Sequence, residues 1–318
     1  MIFHFLKDNL FCDVLIVRFA LAIALTTHPL MAQDRSKEVA ATVNEDRIYE
    51  GSLLTELESL AGDTPPGSVK YQQLRKQVLQ RAIERRLALA YLEMINQRAS
   101  ADDVTLEILR LEKRLMLKNQ SLEDYLQEKR IYREELEHRI DWQISWPKYS
   151  AQFLNDKNYE NIFNQRRRQF NGTQLMVSQI LLHAHQQQVR TETQTLALAK
   201  DILRKIRENE MTFTAAAKKY SDSPTGKTGG VVGLIEYDGA MPLAFNQAAF
   251  KLKLGEISEP VKTTFGYHLI QLNDIKEGAI TWPMARPRLR KAIIEQLLTF
   301  LTNQGRKIST IEISEGWK

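Results

Sequence analysis

The single cysteine in these 318 residues, Cys12, excludes a disulfide framework and any cysteine-built metal site. An excess of one sign of charge is also small. A formal net charge of +5 at this length is no nucleic-acid footprint. No apolar run reaches the ~20 residues a spanning helix needs. The longest uncharged stretch near the start, from Phe19 to Gln33, has 15. No lipid-attachment pattern surrounds Cys12. What remains, 43% hydrophobic and 26% charged residues, is enough to bury real cores and predicts one large or two ordinary domains.

The first 32 residues differ in kind from the rest. Lys7 and Arg18 precede Phe19-Ala-Leu-Ala-Ile-Ala-Leu25, and small residues lead to Met31-Ala32. This reads as a secretory signal cleaved near Ala32, with an uncleaved anchor as the alternative, and predicts an exported, periplasmic protein. Its removal leaves the net charge unchanged, because Lys7 and Arg18 are balanced by Asp8 and Asp13.

From there to about residue 170 the pattern is helical. Val39–Val43 and Ile48-Tyr49 predict a short strand pair, and a helix begins near Ser52. After the breaker-rich loop Ala61–Gly67, the positions Leu74, Val78, Ile83, Leu87 and Met94 form one apolar stripe. Ser100-Ala-Asp-Asp103 and Ser121-Leu-Glu-Asp124 are helix starts. A third stripe, Leu136, Ile140 and Ile144, runs to Pro147, which should kink or end the helix, with helix resuming through Tyr149–Phe163. The basic run Arg166-Arg-Arg168 reads as a solvated face.

The character changes at Asn171-Gly172. The order predicted over residues 171–278 is β-α-α-β-α-β-β: a strand at Gln174–Leu182, helices near Thr193–Asn209 and Phe213–Tyr220, a glycine-rich loop, a strand at Val231–Ile235, a helix over Pro242–Phe250, and strands near Ile257–Val261 and Tyr267–Leu272. After Gly278, Leu289, Ile293, Leu297 and either Phe300 or Leu301 make another stripe with no partner nearby in sequence, followed by the strand-like Thr310–Ser314. This predicts that the C-terminal helix buries its stripe on the N-terminal helices, with the α+β unit inserted between. The expected division is 1–32 signal, 33–170 helical domain, 171–278 α+β unit, and 279–318 helix and strand returning to the helical domain.

Five motifs occur in order: Tyr220-Ser-Asp-Ser-Pro224, Gly229-Gly230, Phe245-Asn-Gln-Ala-Ala-Phe250, Leu254-Gly-Glu-Ile-Ser-Glu-Pro260 and Phe265-Gly-Tyr-His268. Together they resemble the parvulin family of peptidyl-prolyl cis-trans isomerases over about residues 174–276, a third of the chain. The flanking parts resemble, more weakly, the periplasmic SurA-type chaperones, in which a helical N-terminal domain and a C-terminal helix enclose a parvulin unit. The resemblance implies an α+β protein that isomerises X–Pro bonds and chaperones unfolded, proline-containing exported polypeptides. It implies peripheral association with exported or outer-membrane proteins, and no cofactor, metal, nucleotide or nucleic acid.

The chemistry suits such a site. Rotation about an amide meets a barrier of about 18–20 kcal/mol, while the cis form of X–Pro is only slightly disfavoured. No bond breaks, so the enzyme has only to hold the proline in an apolar pocket and favour the twisted amide over the planar one. Met241 and Phe245 match the family's proline-binding positions, with Val232 and Phe265 as further walls. Ordinary core packing is the plain alternative for each. His268 matches the second of two facing family histidines and Thr263 its supporting hydroxyl. The first histidine falls at Gln179, the cysteine-or-aspartate position at Ser223, and an acid after the paired glycines at Val231. Glutamine cannot titrate and serine is a weak nucleophile. These departures imply weakened activity, and the alternative is a non-catalytic holdase whose parvulin unit only binds peptide.

Three other motifs point elsewhere and fall short. Thr225-Gly-Lys-Thr228 suggests a phosphate loop, but Ser221 stands where the motif needs glycine. His183 and His185 share a strand face that could bind metal, without an evident third ligand. Ser223 lacks a nucleophile-elbow context. Lys227 is the only cation between Ser221 and Met241, so a phosphorylation-dependent preference is not expected.

Overall fold

The computed structural model describes residues 38–183 and 190–318. The signal reading of residues 1–32 and the metal reading of His185 lie outside them. The chain opens with the antiparallel pair β1 (Val39–Val43) and β2 (Asp46–Tyr49). Helices α1 (Glu50–Ala61), α2 (Val69–Met94), α3 (Ala101–Met116), α4 (Leu122–Glu128) and α5 (Arg133–Ala151) follow, then α6 (Asp156–Gln165) and the single turn α7 (Arg167–Phe170). Helices α3 and α4 start in capping boxes, Ser100 with Asp103 and Ser121 with Asp124, each satisfying backbone N–H groups that the first turn leaves free.

Helix α5 runs through Pro147 and ends at Ala151, where the sequence predicts a kink or a stop. Pro147 and Gln143 are both exposed, so the carbonyl that loses its donor is left to water while Ser145, Tyr149 and Ser150 stay buried on the other face. The break falls at Gln152–Asn155. There Asn155 accepts from the Asn158 N–H and starts α6, so the continuous Tyr149–Phe163 helix does not form.

The α+β unit contains β3 (Gln174–Leu182), α8 (Glu192–Arg207), α9 (Phe213–Tyr220), a 3₁₀ turn at Pro224–Thr228, β4 (Val231–Ile235), α10 (Leu243–Ala249), β5 (Val261–Thr263) and β6 (Gly266–Lys276). Its sheet is antiparallel, in the order β4-β3-β6-β5. The strand expected near Ile257–Val261 lies instead at Val261–Thr263. Pro260 has no N–H to donate, and the preceding stretch follows β6 only through irregular bonds at Gly255, Glu256 and Ser258 and a lone bridge from Ile257 to Gln271. One sheet face, with Ile180, Leu182 and Leu269, packs on α8 and α9. The other, with Leu175, Val177, Ile270 and Leu272, packs on α10 through Phe245, Ala249 and Phe250.

Helix α11 (Trp282–Ile308) then places Leu289 and Ile293 against Tyr159, Phe163 and Phe170, and Leu301 against Ala88, Leu92 and Tyr149. The final strand β7 (Ile311–Ile313) pairs antiparallel with β1, so the two ends of the described chain share one sheet. The crossings between helices and α+β unit touch. The Gly278 N–H donates to Thr173 Oγ1 at 3.2 Å and the Ile280 N–H to the Asn171 carbonyl at 2.9 Å. A Cβ at Gly278 would stand 2.0 Å from that carbonyl oxygen, which only glycine avoids. Among the described residues no helix is long and apolar enough to cross a membrane.

Candidate active site

Strand alternation assembles the polar residues. On β3, Gln179 shares a face with Leu175 and Val177, the face that meets α10. On β6, His268 shares that face with Ile270 and Leu272. The register sets Gln179 opposite Ile270 and Leu181 opposite His268, so Gln179 and His268 are diagonal neighbours. On β5, Val261 faces His268, and Thr263 follows one repeat later.

The side chains form one hydrogen-bonded row. Thr263 Oγ1 and His268 Nε2 lie 2.7 Å apart, and His268 Nδ1 lies 3.0 Å from Gln179 Oε1. An amide oxygen only accepts, so Nδ1 carries the proton and Nε2 accepts from the threonine hydroxyl. Gln179 Nε2 donates to Ser223 Oγ at 3.4 Å, and Ser223 Oγ lies 2.9 Å from Thr225 Oγ1. Thr263 Oγ1 is held in turn by the Phe265 N–H at 3.1 Å. His268 is 2% and Gln179 7% exposed.

Burial pushes the His268 imidazole down to about 4, assisted by the nearby charge of His183. The ring is therefore neutral at pH 7 and, with a glutamine beside it, the row carries no charge. A histidine held neutral takes up its proton more readily in the unfolded chain, whose reference value is 6.5. Its contribution to stability is complete above pH 6.5, falls as the pH drops towards 4, and levels off below that. The loss across that window is about 3 kcal/mol at most. Denaturant titrations of the wild type and His268→Gln at pH 7.5 and 4.5 should show the wild type losing more on acidification. Equal losses would place the pH dependence elsewhere.

Among the apolar residues named from the sequence, Phe245 meets this row directly. Phe245, 0% exposed, sets its ring edge-on to His268 with centroids 5.4 Å apart at 83°. Met241 and Val232 are partly buried against the same cluster. Phe265 stands 53% exposed at the β5–β6 turn. The turn at Pro224–Thr228 is brought over Gln179 by Gly230, whose carbonyl accepts from the Gln179 N–H at 2.8 Å. Gly230 has φ +90°, and a Cβ there would lie 2.5 Å from the Gln179 carbonyl oxygen. The turn leads into a strand, so no helix N-terminus faces Lys227 to hold phosphate.

Sequence reasoning missed three supporting residues. His183, weighed only as a metal ligand, donates from Nδ1 to the Phe265 carbonyl at 2.9 Å and so ties the β5–β6 turn to the end of β3. Ser221 Oγ accepts from the backbone N–H of Leu181 and of Ser223. Asp222 accepts from the His183 N–H and from Arg190. The strand period carried the signal for His183: it is two repeats beyond Gln179 on the same face.

Residues 180–274 match the family described as the PPIC-type PPIASE domain, and residues 2–150 the SurA-like N-terminal domain. Foldase protein PrsA of Bacillus subtilis is 36% identical over 100 residues, 31% of this chain and 33% of that protein. Chaperone SurA of Chromohalobacter salexigens is 36% identical over 108 residues, 34% of this chain and 24% of that protein. The crystal structure of peptidylprolyl isomerase (PrsA) from Bacillus anthracis aligns with 72% of this chain and 96% of its own, at TM-score 0.38 and 22% identity. These two curated relatives are thus matched over about a third of their length or less. One α+β chain thus carries a region similar to the SurA-like N-terminal domain followed by a region similar to the PPIC-type PPIASE domain.

Proposed function

We propose that the protein is a peptidyl-prolyl cis-trans isomerase and folding chaperone for exported, extended polypeptides. In this reading residues 1–32 direct export, 33–170 and 279–318 build the helical chaperone body, and 171–278 are the isomerase. His268 and Thr263 orient the polar row, Gln179 and Ser223 complete it, and Met241, Phe245, Val232 and Phe265 receive the proline ring. The observation that carries the reading is the uncharged His268–Gln179 pair set against Phe245. A planar amide is polarised by resonance and the twisted one is not. A dry, neutral, apolar surface therefore favours the twisted form, which is the differential binding that isomerisation needs.

The second reading, a holdase that binds peptide without catalysis, is favoured by one feature: Gln179 stands where the family has histidine. The two separate in a proline-limited refolding assay on the full chain, run beside Gln179→His. The expected result is measurable acceleration by the wild type and a several-fold faster rate for the variant. A silent wild type that still suppresses client aggregation would leave the holdase.

A further inference from the structure

The loop that delivers Met241 to the apolar face is anchored from outside its own sheet. It spans residues 236–241, between β4 and α10. From within the unit, Asn246 Nδ2 donates to the carbonyls of Met241 at 3.2 Å and Gly239 at 3.4 Å. Gln174 Nε2 also donates to Glu236 Oε1 at 2.9 Å, and the Tyr237 ring packs edge-on to Phe250 with centroids 5.3 Å apart. The anchor from outside the sheet is Asp238, whose partner is Arg288 on α11. Arg288 Nε and Nη2 converge on Asp238 Oδ2 at 3.0 and 2.7 Å. The same guanidinium donates from Nη2 to the Gln169 carbonyl at 2.6 Å and from Nη1 to the Phe170 carbonyl at 3.5 Å, with its carbon 5.7 Å from the Phe170 ring centre. One planar cation thus joins α11, the end of α7 and the loop before α10, a task for a fork of donors and not for a lysine.

Little else supports the loop from that side. A cleft of about 390 Å³ separates α10 from α11, lined by Tyr237, Leu243, Gln247 and Arg288 among others, and Leu243 remains 63% exposed. We propose that Arg288 is a positioning residue: acting from the helical body through Asp238, it fixes the loop that carries Met241 and so makes proline-peptide affinity in the α+β unit depend on the body. The inference rests on the site reading above for its functional consequence, and on geometry alone for the anchoring.

The test uses the full chain as wild type, Arg288→Ala, Arg288→Lys, Asp238→Asn and the exchanged pair Asp238→Arg with Arg288→Asp. Amide hydrogen exchange reads the loop and isomerase kinetics on a proline peptide read the site. The expected result is faster exchange across 236–241 in Arg288→Ala and Asp238→Asn with residues 174–182 unchanged. KM should rise about three- to fivefold at constant kcat, the scale of a partly exposed ion pair. Arg288→Lys should restore little, and the exchanged pair should recover part of the loop protection. Exchange identical to wild type in both single variants would overturn the anchoring, and a fall in kcat at unchanged KM would overturn the positioning role. If the wild type turns nothing over, the isomerase reading fails by itself, and the exchange data with peptide Kd values still decide the role of Arg288.

Discussion

Phe245→Ala is expected to cost the α+β unit about 3–5 kcal/mol, the range for emptying a fully buried phenylalanine site. The ring lies at the centre of the cluster formed by Leu175, Val177, Ala249, Phe250, Ile270 and Leu272, so its removal leaves a cavity that rigid strands on one side and α10 on the other can close only in part. It also removes the edge-on partner of His268, so the variant should hold proline peptide weakly even where it remains folded. Calorimetry on the full chain is the check. One unfolding transition should move down markedly, by ~10 °C or more for a unit of about 100 residues, while the transition of the helical body stays in place. Movement of both together would mean that the two parts unfold as one.

Trp317→Ala should produce the opposite pattern. Trp317 is buried beneath the β2-β1-β7 sheet in the same cluster as Ile48, Leu57 and Leu87. Its Nε1–H donates to Glu50 Oε1 at 2.5 Å, and Arg75 lies over its ring at 4.0 Å while donating to the Gly316 carbonyl. Truncation loses the burial of a large aromatic, about 3–5 kcal/mol, and leaves a carboxylate that is itself 6% exposed without its donor, a further loss of about 1–3 kcal/mol. The expected result is a lowered transition for the helical body with the α+β transition, and peptide affinity, unchanged. Trp317→Phe should separate the two contributions, since it restores most of the apolar volume but not the hydrogen bond.

Much of this was legible in the sequence because local signals agreed with the final packing. The serine caps of α3 and α4, the period-two pattern of β3 and the unpartnered stripe on α11 each named an element and its buried side. The fold class followed from their order. Where the reading failed, tertiary context overrode a local rule: Pro147 sits inside α5 because it faces water, and Pro260 displaces β5 because it cannot donate to β6. The family motifs named the residues of the candidate site, but not their connections. That Gln179 takes the oxygen side of its amide to His268 Nδ1, that Thr263 serves both His268 and Phe265, and that His183 holds the Phe265 turn depend on strand register, which spacing along one chain does not contain.

The pairing of β1 with β7 has a consequence for the order in which the molecule can be completed. Asn44 reaches Ser309 across 265 positions of sequence, and the third strand of that sheet, with Trp317 beneath it, follows α11 in the chain. The α+β unit has all its strands by Lys276 and can close first, on local contacts. Until α11 and β7 arrive, α2 and β1 have only part of their apolar packing, from α1, β2 and α5. During synthesis, the proposed chaperone body thus passes through a stage with exposed apolar surface of its own, until α11 and β7 dock.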